Sequence, residues 1–515
     1  MLNSSSKRWL IAGVVALVVH VSSHSALWAS AKLDPGLRPF LDQSASGRTG
    51  IINQPSRLDV LVVFHYDNQT AENSTARRYD ARSVSEYLKQ QLSVSLLKLR
   101  QAAPNDIVVK NTYFINNSAT INVSPESLRL LLNVDVVKKI YKIRNVLIDE
   151  LPPSEPQTQS TYNYGETKLD KLIEEMPQID GTGVLIGHID TGLDGRHASI
   201  RTKIQAFFHN VKKQLDTPKD DGTHGSHTAG TIVGGDRKTD FIGVAPGAKL
   251  LSSGPLSGYD NMLASMEFML DPDNAPATKD LPRAVSNSLH CGGAPDIELF
   301  YRAISAWEAA GILPVFSAGN AGPRPASITP PHEHPATLAV GATGQDGKVT
   351  SFSSRGPGRF HDQNTRKPDI TAPGKDIVSS VPGGRFAAMS GTSMAAPHVA
   401  GAVALVLQAN PSLDPLQIKQ VLISSSVAID ANGKPRESGR EWNANYGYGK
   451  LDILAAVKLA ALVEARRIRP RMFGFLEQLL NQHVITADRI LTNTRRDENV
   501  AVYLTAYPEG FDSNW

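Results

Sequence analysis

One cysteine among 515 residues leaves no partner for an intrachain disulfide, so stability outside a cell would rest on core packing, with or without bound ions. Charge of one sign is scarce as well. A formal net charge of +3 over this length is too small to mark nucleic acid or an anionic membrane as a main partner. Long apolar runs are missing after Val21, and no later segment reads as a stable membrane span. What is present is ordinary globular composition, 41% hydrophobic and 20% charged, enough for a sizeable core. The length exceeds a usual single domain, so two or three units are expected.

The first segment reads as an address. Lys7 and Arg8 precede the apolar run Trp9 to Val21, and Ala29-Ser30-Ala31 follows as a small-x-small site. That pattern predicts a secretory signal peptide over residues 1–31, hence an exported, extracellular or periplasmic protein. Residues 57–148 read as a separate α+β unit. Leu58 to Phe64 is a strand, and Ser83 to Arg100 carries apolar residues at helical spacing. Ile107–Val109 and Ala119–Val123 are further strands, Ser124 caps a helix that starts on Pro125, and Val136 to Ile143 is a last strand. The order β-α-β-β-α-β is the ferredoxin-like arrangement. Leu151 to Tyr164 is rich in Pro, Ser and Gln, so residues 149–164 read as an exposed linker.

From residue 165 to about 465, apolar strand-like runs alternate with helical ones, which predicts an α/β domain with a doubly wound parallel sheet. Predicted strands are Val184–Asp190, Ala248–Ser252, Ala284–Leu289, Leu313–Ala318, Thr337–Thr343 and Asp376–Ser380. Predicted helices are His224–Val233, Ile297–Ala310, Ser393–Gln408 and Pro415–Ser424. Chemistry concentrates in three stretches. Gly391-Thr392-Ser393-Met394-Ala395-Ala396-Pro397 puts a hydroxyl where a loop opens into an apolar helix, at the positive end of the helix dipole. Pro397 is expected in the first turn, where its missing N–H is tolerated. Gly187-His188-Ile189-Asp190-Thr191-Gly192 ends a buried strand on a carboxylate, and His224-Gly225-Ser226-His227 opens a small-residue helix. A nucleophile needs a base, and the base needs an orienting carboxylate.

The three motifs, in the chain order Asp190, His224, Ser393, resemble those of the subtilisin-like serine proteases, the subtilases. The resemblance runs through about three hundred residues, to Tyr446-Gly447-Tyr448-Gly449-Lys450-Leu451-Asp452, which is similar to the turn before the family's last helix. It implies a serine endopeptidase acting on protein or peptide substrates through an acyl-enzyme, with no cofactor required for catalysis. It implies that the 57–148 unit is an inhibitory propeptide, the chain's own partner, cut away within the linker. It implies an oxyanion hole formed by the Asn320 side chain and the Ser393 backbone N–H. The segment Val285 to Gly293 would pair with substrate, engaging it at Ser288, Leu289 and His290; His290 stands where the family usually has Gly. Ser317, Ala318 and Gly319 would form the opposite wall of the primary pocket.

Other readings fall away on the same residues. His224 and His227 stand three apart, a zinc spacing, but no further ligands accompany them. Asp190-Thr191-Gly192 has no second copy, which an aspartic protease chain would need. A lipase or esterase would show Gly-x-Ser-x-Gly and the order Ser, Asp, His. A degraded relative retained as a binding or chaperone protein would have lost a triad member, and none is lost. Asp236 and Asp240 lie where many relatives bind calcium, but Arg237 and Lys238 oppose a hard cation, so structural calcium is not supported there. Asn68, Asn73, Asn116 and Asn122 head glycosylation sequons. Cys291 directly follows the substrate segment and is either an inert buried thiol or, with His290 beside it, a reactive one. Residues 466–515 open with the basic run Arg466 to Arg471 and receive no assigned role.

Overall fold

The computed structural model describes residues 32–42, 55–67, 80–103, 105–148, 162–237, 242–273, 281–291, 298–361, 363–436 and 441–463. The expected signal peptide, the body of the linker and the C-terminal extension lie outside these residues. The chain divides into two compact units, residues 1–71 with 88–144, and residues 72–87 with 145–515.

The smaller unit is built on β1 (Leu58–Phe64), the greater part of α1 (Ala81–Ala102) from Leu88 on, β2 (Val108–Tyr113), β3 (Ser118–Val123), α2 (Pro125–Leu131) and β4 (Val137–Lys142). Its sheet order is β2-β3-β1-β4, and every neighbouring pair is antiparallel. Ser124 caps α2 by accepting the Ser127 N–H, with Pro125 at the first helical position. An edge contact precedes the first expected strand: Leu33 bridges Ile140 in parallel, and Asp34 binds Arg144. The sequon residue Asn116 is fully buried, which closes that site to a glycan in the folded unit.

The larger unit contains α3 (Leu169–Glu175), β5 (Leu185–Ile189), β6 (Ile204–His209), β7 (Gln214–Leu215), α4 (His224–Val233), β8 (Lys249–Gly254), α5 (Tyr259–Leu270), β9 (Ala284–Asn287) and α6 (Glu298–Ala309). After these come β10 (Leu313–Ser317), β11 (Leu338–Thr343), the hairpin β12 (Gly358–Phe360) and β13 (Gln363–Thr365), β14 (Ile370–Pro373), the hairpin β15 (Ile377–Val381) and β16 (Arg385–Met389), α7 (Thr392–Ala409), α8 (Pro415–Ser425) and α9 (Ile453–Leu462). The main sheet runs β14-β11-β10-β9-β5-β8-β6-β7, parallel except at the β6–β7 edge. The earliest strand, β5, lies inside the sheet, with later strands added on both sides. That reversal of order makes a doubly wound α/β sheet, and such sheets gather functional groups where the order reverses, at the carboxyl ends of strands.

One face of the sheet offers Ile186, Ala284, Leu313, Val315, Leu338, Val340 and Ile370 to α7, whose Ala and Val residues up to Val406 are all buried. The opposite face meets α5: a Cβ on Gly187 would come within 2.9 Å of Met269 Sδ. Small residues let α7 lie close to the strands. It is long and apolar enough to cross a membrane, but 89% of that stretch is buried as the core helix.

Three expectations are corrected. The predicted strand 376–380 does exist as β15, but it pairs antiparallel with β16 and leaves the main sheet to β14. β14 is only four residues long and ends on Pro373, so it lacked a readable run. β6 and α5 were not anticipated at all. Pro397 lies in the second turn of α7, not the first. Its ring removes the N–H that would have bonded the Ser393 carbonyl, and Ser288 Oγ donates to that carbonyl instead, at 3.0 Å.

Candidate active site

The carboxyl end of β5 delivers Asp190, whose own N–H still bonds Ser253 O on β8 at 3.1 Å. The next residues turn sharply and run against the start of α4. Gly225 allows this approach, because a Cβ there would lie 1.9 Å from Gly192 O. Asp220 completes the first turn of α4 by accepting both the N–H and the hydroxyl of Ser226, at 2.8 and 2.6 Å. His224 is thereby held with Nδ1 2.7 Å from Asp190 Oδ1, and both side chains are almost fully buried.

Asp190 Oδ1 also accepts the Thr191 N–H at 2.7 Å, and Oδ2 accepts Thr228 Oγ1 at 3.0 Å. His224 and Thr228 stand one helical turn apart on α4, so one helix face clamps both carboxylate oxygens. Burial by itself would raise the Asp190 carboxyl. The facing charge and hydrogen bond of His224, with His188 and the Thr191 N–H, outweigh that and hold it below the ordinary carboxylate range. The arrangement keeps an anion in a dry site, where it fixes the imidazole with Nδ1 as donor.

Ser393 sits in the first turn of α7, 4% exposed, and α7 packs directly on α4. Before it, Gly391 takes a φ of 152°, a backbone region that L side chains rarely adopt. A Cβ on Gly391 would lie 3.3 Å from Asn320 Nδ2 and 3.6 Å from Ser393 N, so two donors border the same space. The Asn320 amide orientation follows from its partners. Oδ1 lies 2.9 Å from the Thr392 N–H, which can only donate, and 2.9 Å from Thr392 Oγ1. The amide nitrogen therefore faces the other way.

The predicted substrate residues fall around this centre. Ser288 is tied to the Ser393 carbonyl, and the Leu289 side chain is buried. His290 is half-buried and pairs through its backbone with Leu147: His290 N donates to Leu147 O at 2.8 Å, and Leu147 N to His290 O at 2.9 Å. On the other side Val146 N donates to Ser257 O at 2.8 Å, and Asn145 bridges Gly258. Residues 145–147 thus pair antiparallel, through isolated bridges, with two segments of their own unit. On β10 and just after it, Ser317 and Ala318 are buried, and Gly319 N donates to Thr392 Oγ1 at 3.1 Å.

Two nearby side chains have structural partners or surroundings of their own. His227 Nε2 donates to Ile377 O and Ala387 O at 2.8 and 3.1 Å, which ties α4 to the β15–β16 hairpin and aims that nitrogen away from any metal. Burial pushes its imidazole down to about 4. Cys291 is 2% exposed, and burial, reinforced by the charge of Glu333, pushes its thiol up, against the reactive alternative. Among the described residues, no group of three or more His, Cys, Asp and Glu is arranged to hold a metal ion. In the loop after α4, Arg237 Nη2 donates to Val244 O at 3.5 Å.

Sequence reasoning missed His188, Thr228, Ser252, Thr392 and the Ser257–Gly258 edge. The first had a signal: a lone polar residue in an apolar strand, two before Asp190 and hence on the same face.

Comparison with known proteins gives one family match and three relatives. The subtilase family profile matches residues 181–449. Bacillopeptidase F of Bacillus subtilis (strain 168) is 30% identical over 424 residues, 72% of this chain but only 29% of that protein. Subtilisin E of the same strain is 29% identical over 339 residues, 64% of this chain and 79% of its own length. Alkaline elastase YaB of Bacillus sp. (strain YaB) is 32% identical over 289 residues, 54% of this chain and 68% of its own.

Proposed function

The chain belongs to the subtilase family of serine endopeptidases, and from that premise we propose a secreted, self-processed endopeptidase with Asp190, His224 and Ser393 as its triad. The observation that carries this reading is the 2.7 Å bond between His224 Nδ1 and Asp190 Oδ1 at the carboxyl end of β5. Ser393 Oγ attacks the peptide carbonyl while His224 takes its proton. His224 then gives that proton to the leaving amine, and water hydrolyses the acyl-enzyme by the same route. Asp190 keeps the imidazole tautomer and stabilises the imidazolium. Asn320 Nδ2 and the Ser393 N–H receive the oxyanion, with no cofactor in any step.

Substrate binds as an added strand between Ser257–Gly258 and His290. The chain's own residues 145–147, which make those backbone bonds, support this placement. The smaller unit, with α1, α2 and the antiparallel order β2-β3-β1-β4, supports a ferredoxin-like propeptide acting as an intramolecular inhibitor. Cleavage between residues 149 and 164 would release it. Export rests on the pattern of residues 1–31.

The test is expression of wild type, Ser393→Ala and His224→Ala in a protease-deficient host, with N-terminal sequencing and peptide-amide hydrolysis. Wild type should lose residues up to the linker and hydrolyse substrate, and both variants should do neither. Identical mature N-termini in wild type and Ser393→Ala would defeat self-processing. Wild-type turnover in Ser393→Ala would defeat the triad.

A further inference from the structure

Three buried residues outside the triad converge on the oxygen of Asp190 that His224 does not use. His188 Nδ1 lies 2.9 Å from Ser252 Oγ on the adjoining strand β8, and its Nε2 lies 2.9 Å from Thr228 Oγ1 on α4. Thr228 Oγ1 is in turn 3.0 Å from Asp190 Oδ2 and 3.1 Å from Gly225 O. His188 is 1% exposed, and Thr228 and Ser252 are fully buried.

Counting protons gives the chain a direction. Among the described residues, the Ser252 hydroxyl has no acceptor other than His188 Nδ1. A proton on Nδ1 would leave that buried hydroxyl hydrogen unbonded, so His188 carries its proton on Nε2. Nε2 then donates to Thr228 Oγ1, and the Thr228 proton goes to an acceptor of its own. The ionised carboxylate is a stronger acceptor than the neutral Gly225 carbonyl. A doubly protonated ring is opposed by burial. The titratable groups facing it are Asp190 on its own strand, Asp220 in the loop before α4, and His224 on α4.

We propose that His188 is a positioning residue for the catalytic carboxylate: its Nε2–H aims the Thr228 hydroxyl at Asp190 Oδ2, leaving Oδ1 in place for His224 Nδ1. The proposal rests on the triad reading above. The chain Ser252, His188, Thr228, Asp190 also draws negative charge away from Oδ1. Without it the carboxylate attracts the His224 proton more strongly, and the base is protonated at higher pH.

The experiment measures kcat and KM across pH with a peptide p-nitroanilide, each value normalised to active sites titrated with a serine-directed acylating reagent. Thr228→Val should lower kcat about tenfold, the weight of one hydrogen bond to a charged group. KM should stay within about twofold, and the acidic limb of kcat/KM should move up by roughly half a pH unit. His188→Leu should shift both in the same direction. His188→Gln, whose amide can still donate to Thr228, should restore the wild-type limb. Residues acting as one chain are not additive, so His188→Leu combined with Thr228→Val should lose no more than Thr228→Val alone.

A wild-type kcat and acidic limb in His188→Leu would overturn the proposal, as would full multiplicative loss in the double variant. Thr228→Val, which keeps nearly the same shape, carries the test if His188→Leu yields no titratable sites; an unshifted limb there is equally fatal. Ser393→Ala separates the two layers. If it is active, the triad reading is wrong; if it is inactive and the His188 variants are silent, only the positioning role is wrong.

Discussion

Replacing Asp369 by Asn should unsettle the larger unit far from Ser393. Asp369 precedes β14 and is 3% exposed. Its Oδ2 lies 2.7 Å from Lys367 Nζ and 2.7 Å from the Ala339 N–H, and its Oδ1 lies 2.7 Å from Lys419 Nζ. Both ammonium groups also donate to Thr337 O. One carboxylate therefore serves two cations in a site nearly closed to water. Burial pushes the Lys367 ammonium down to about 7; Asp369 opposes that shift and Lys419 adds to it. Burial would raise Asp369, but the two lysines together hold it below the usual carboxylate range.

Asn keeps the shape and removes the charge that both cations face. Breaking one buried pair costs about 3–5 kcal/mol, and below about pH 7, where Lys367 as well as Lys419 is charged, two cations lose their partner, so the loss there should reach the upper end. At about 2–4 °C per kcal/mol for a large domain, the melting temperature should fall by roughly 10–20 °C. Lys367→Met should be far milder, because it leaves one cation against one anion. It should also change the response to pH. The folded value of Lys367 lies below its unfolded value of 10.5, so the unfolded chain binds more protons between about pH 7 and 10.5. Wild-type stability therefore rises with pH through that window, and the cost is complete below about pH 7. Thermal unfolding by circular dichroism, in a Ser393→Ala background that cannot digest itself, measures both effects. A melting point for Asp369→Asn within about 2 °C of its parent would refute the reasoning, given the roughly 10 °C expected. So would an undiminished alkaline rise in Lys367→Met.

Asn320→Ala should lower kcat about a hundred- to a thousand-fold with little change in KM, a range inherited from removal of the corresponding donor in subtilisin. Near-normal turnover on a peptide amide would reduce Asn320 to a turn residue. Cys291, buried and held as a thiol, should resist thiol reagents in the native protein and react only after unfolding, with activity unaffected by the reagent. Mass spectrometry showing a rapid native adduct at Cys291, with loss of activity, would reinstate the reactive reading.

The proposed triad was legible because each member needs a local backbone device. Gly391 gives Ser393 its approach, Gly225 lets α4 meet the Asp190 loop, and Asp190 ends an apolar strand. These devices are written within a few residues of the group they serve. Helix α4 was predicted to the residue for the same reason: a small-residue run between a glycine-rich start and Gly234 has no competing period. Strands β5, β9, β10 and β11 were readable as apolar runs bounded by turn residues, whereas β14 was too short to show a period and β6 mixes exposed and buried positions.

Sequence by itself pointed to the residues proposed to carry the chemistry and to their order, because those signals are short-range and depend on residue type. Tertiary structure decided everything that depends on partners far apart in the chain. Ser288 answering the carbonyl freed by Pro397 is one such case. Others are Thr392 turning the Asn320 amide, and residues 145–147 pairing beside His290. His188, Thr228 and Ser252 come from β5, α4 and β8, and each taken singly is an unremarked polar residue. Only burial, which removes water as an alternative partner, obliges them to bond one another and so to point at Asp190.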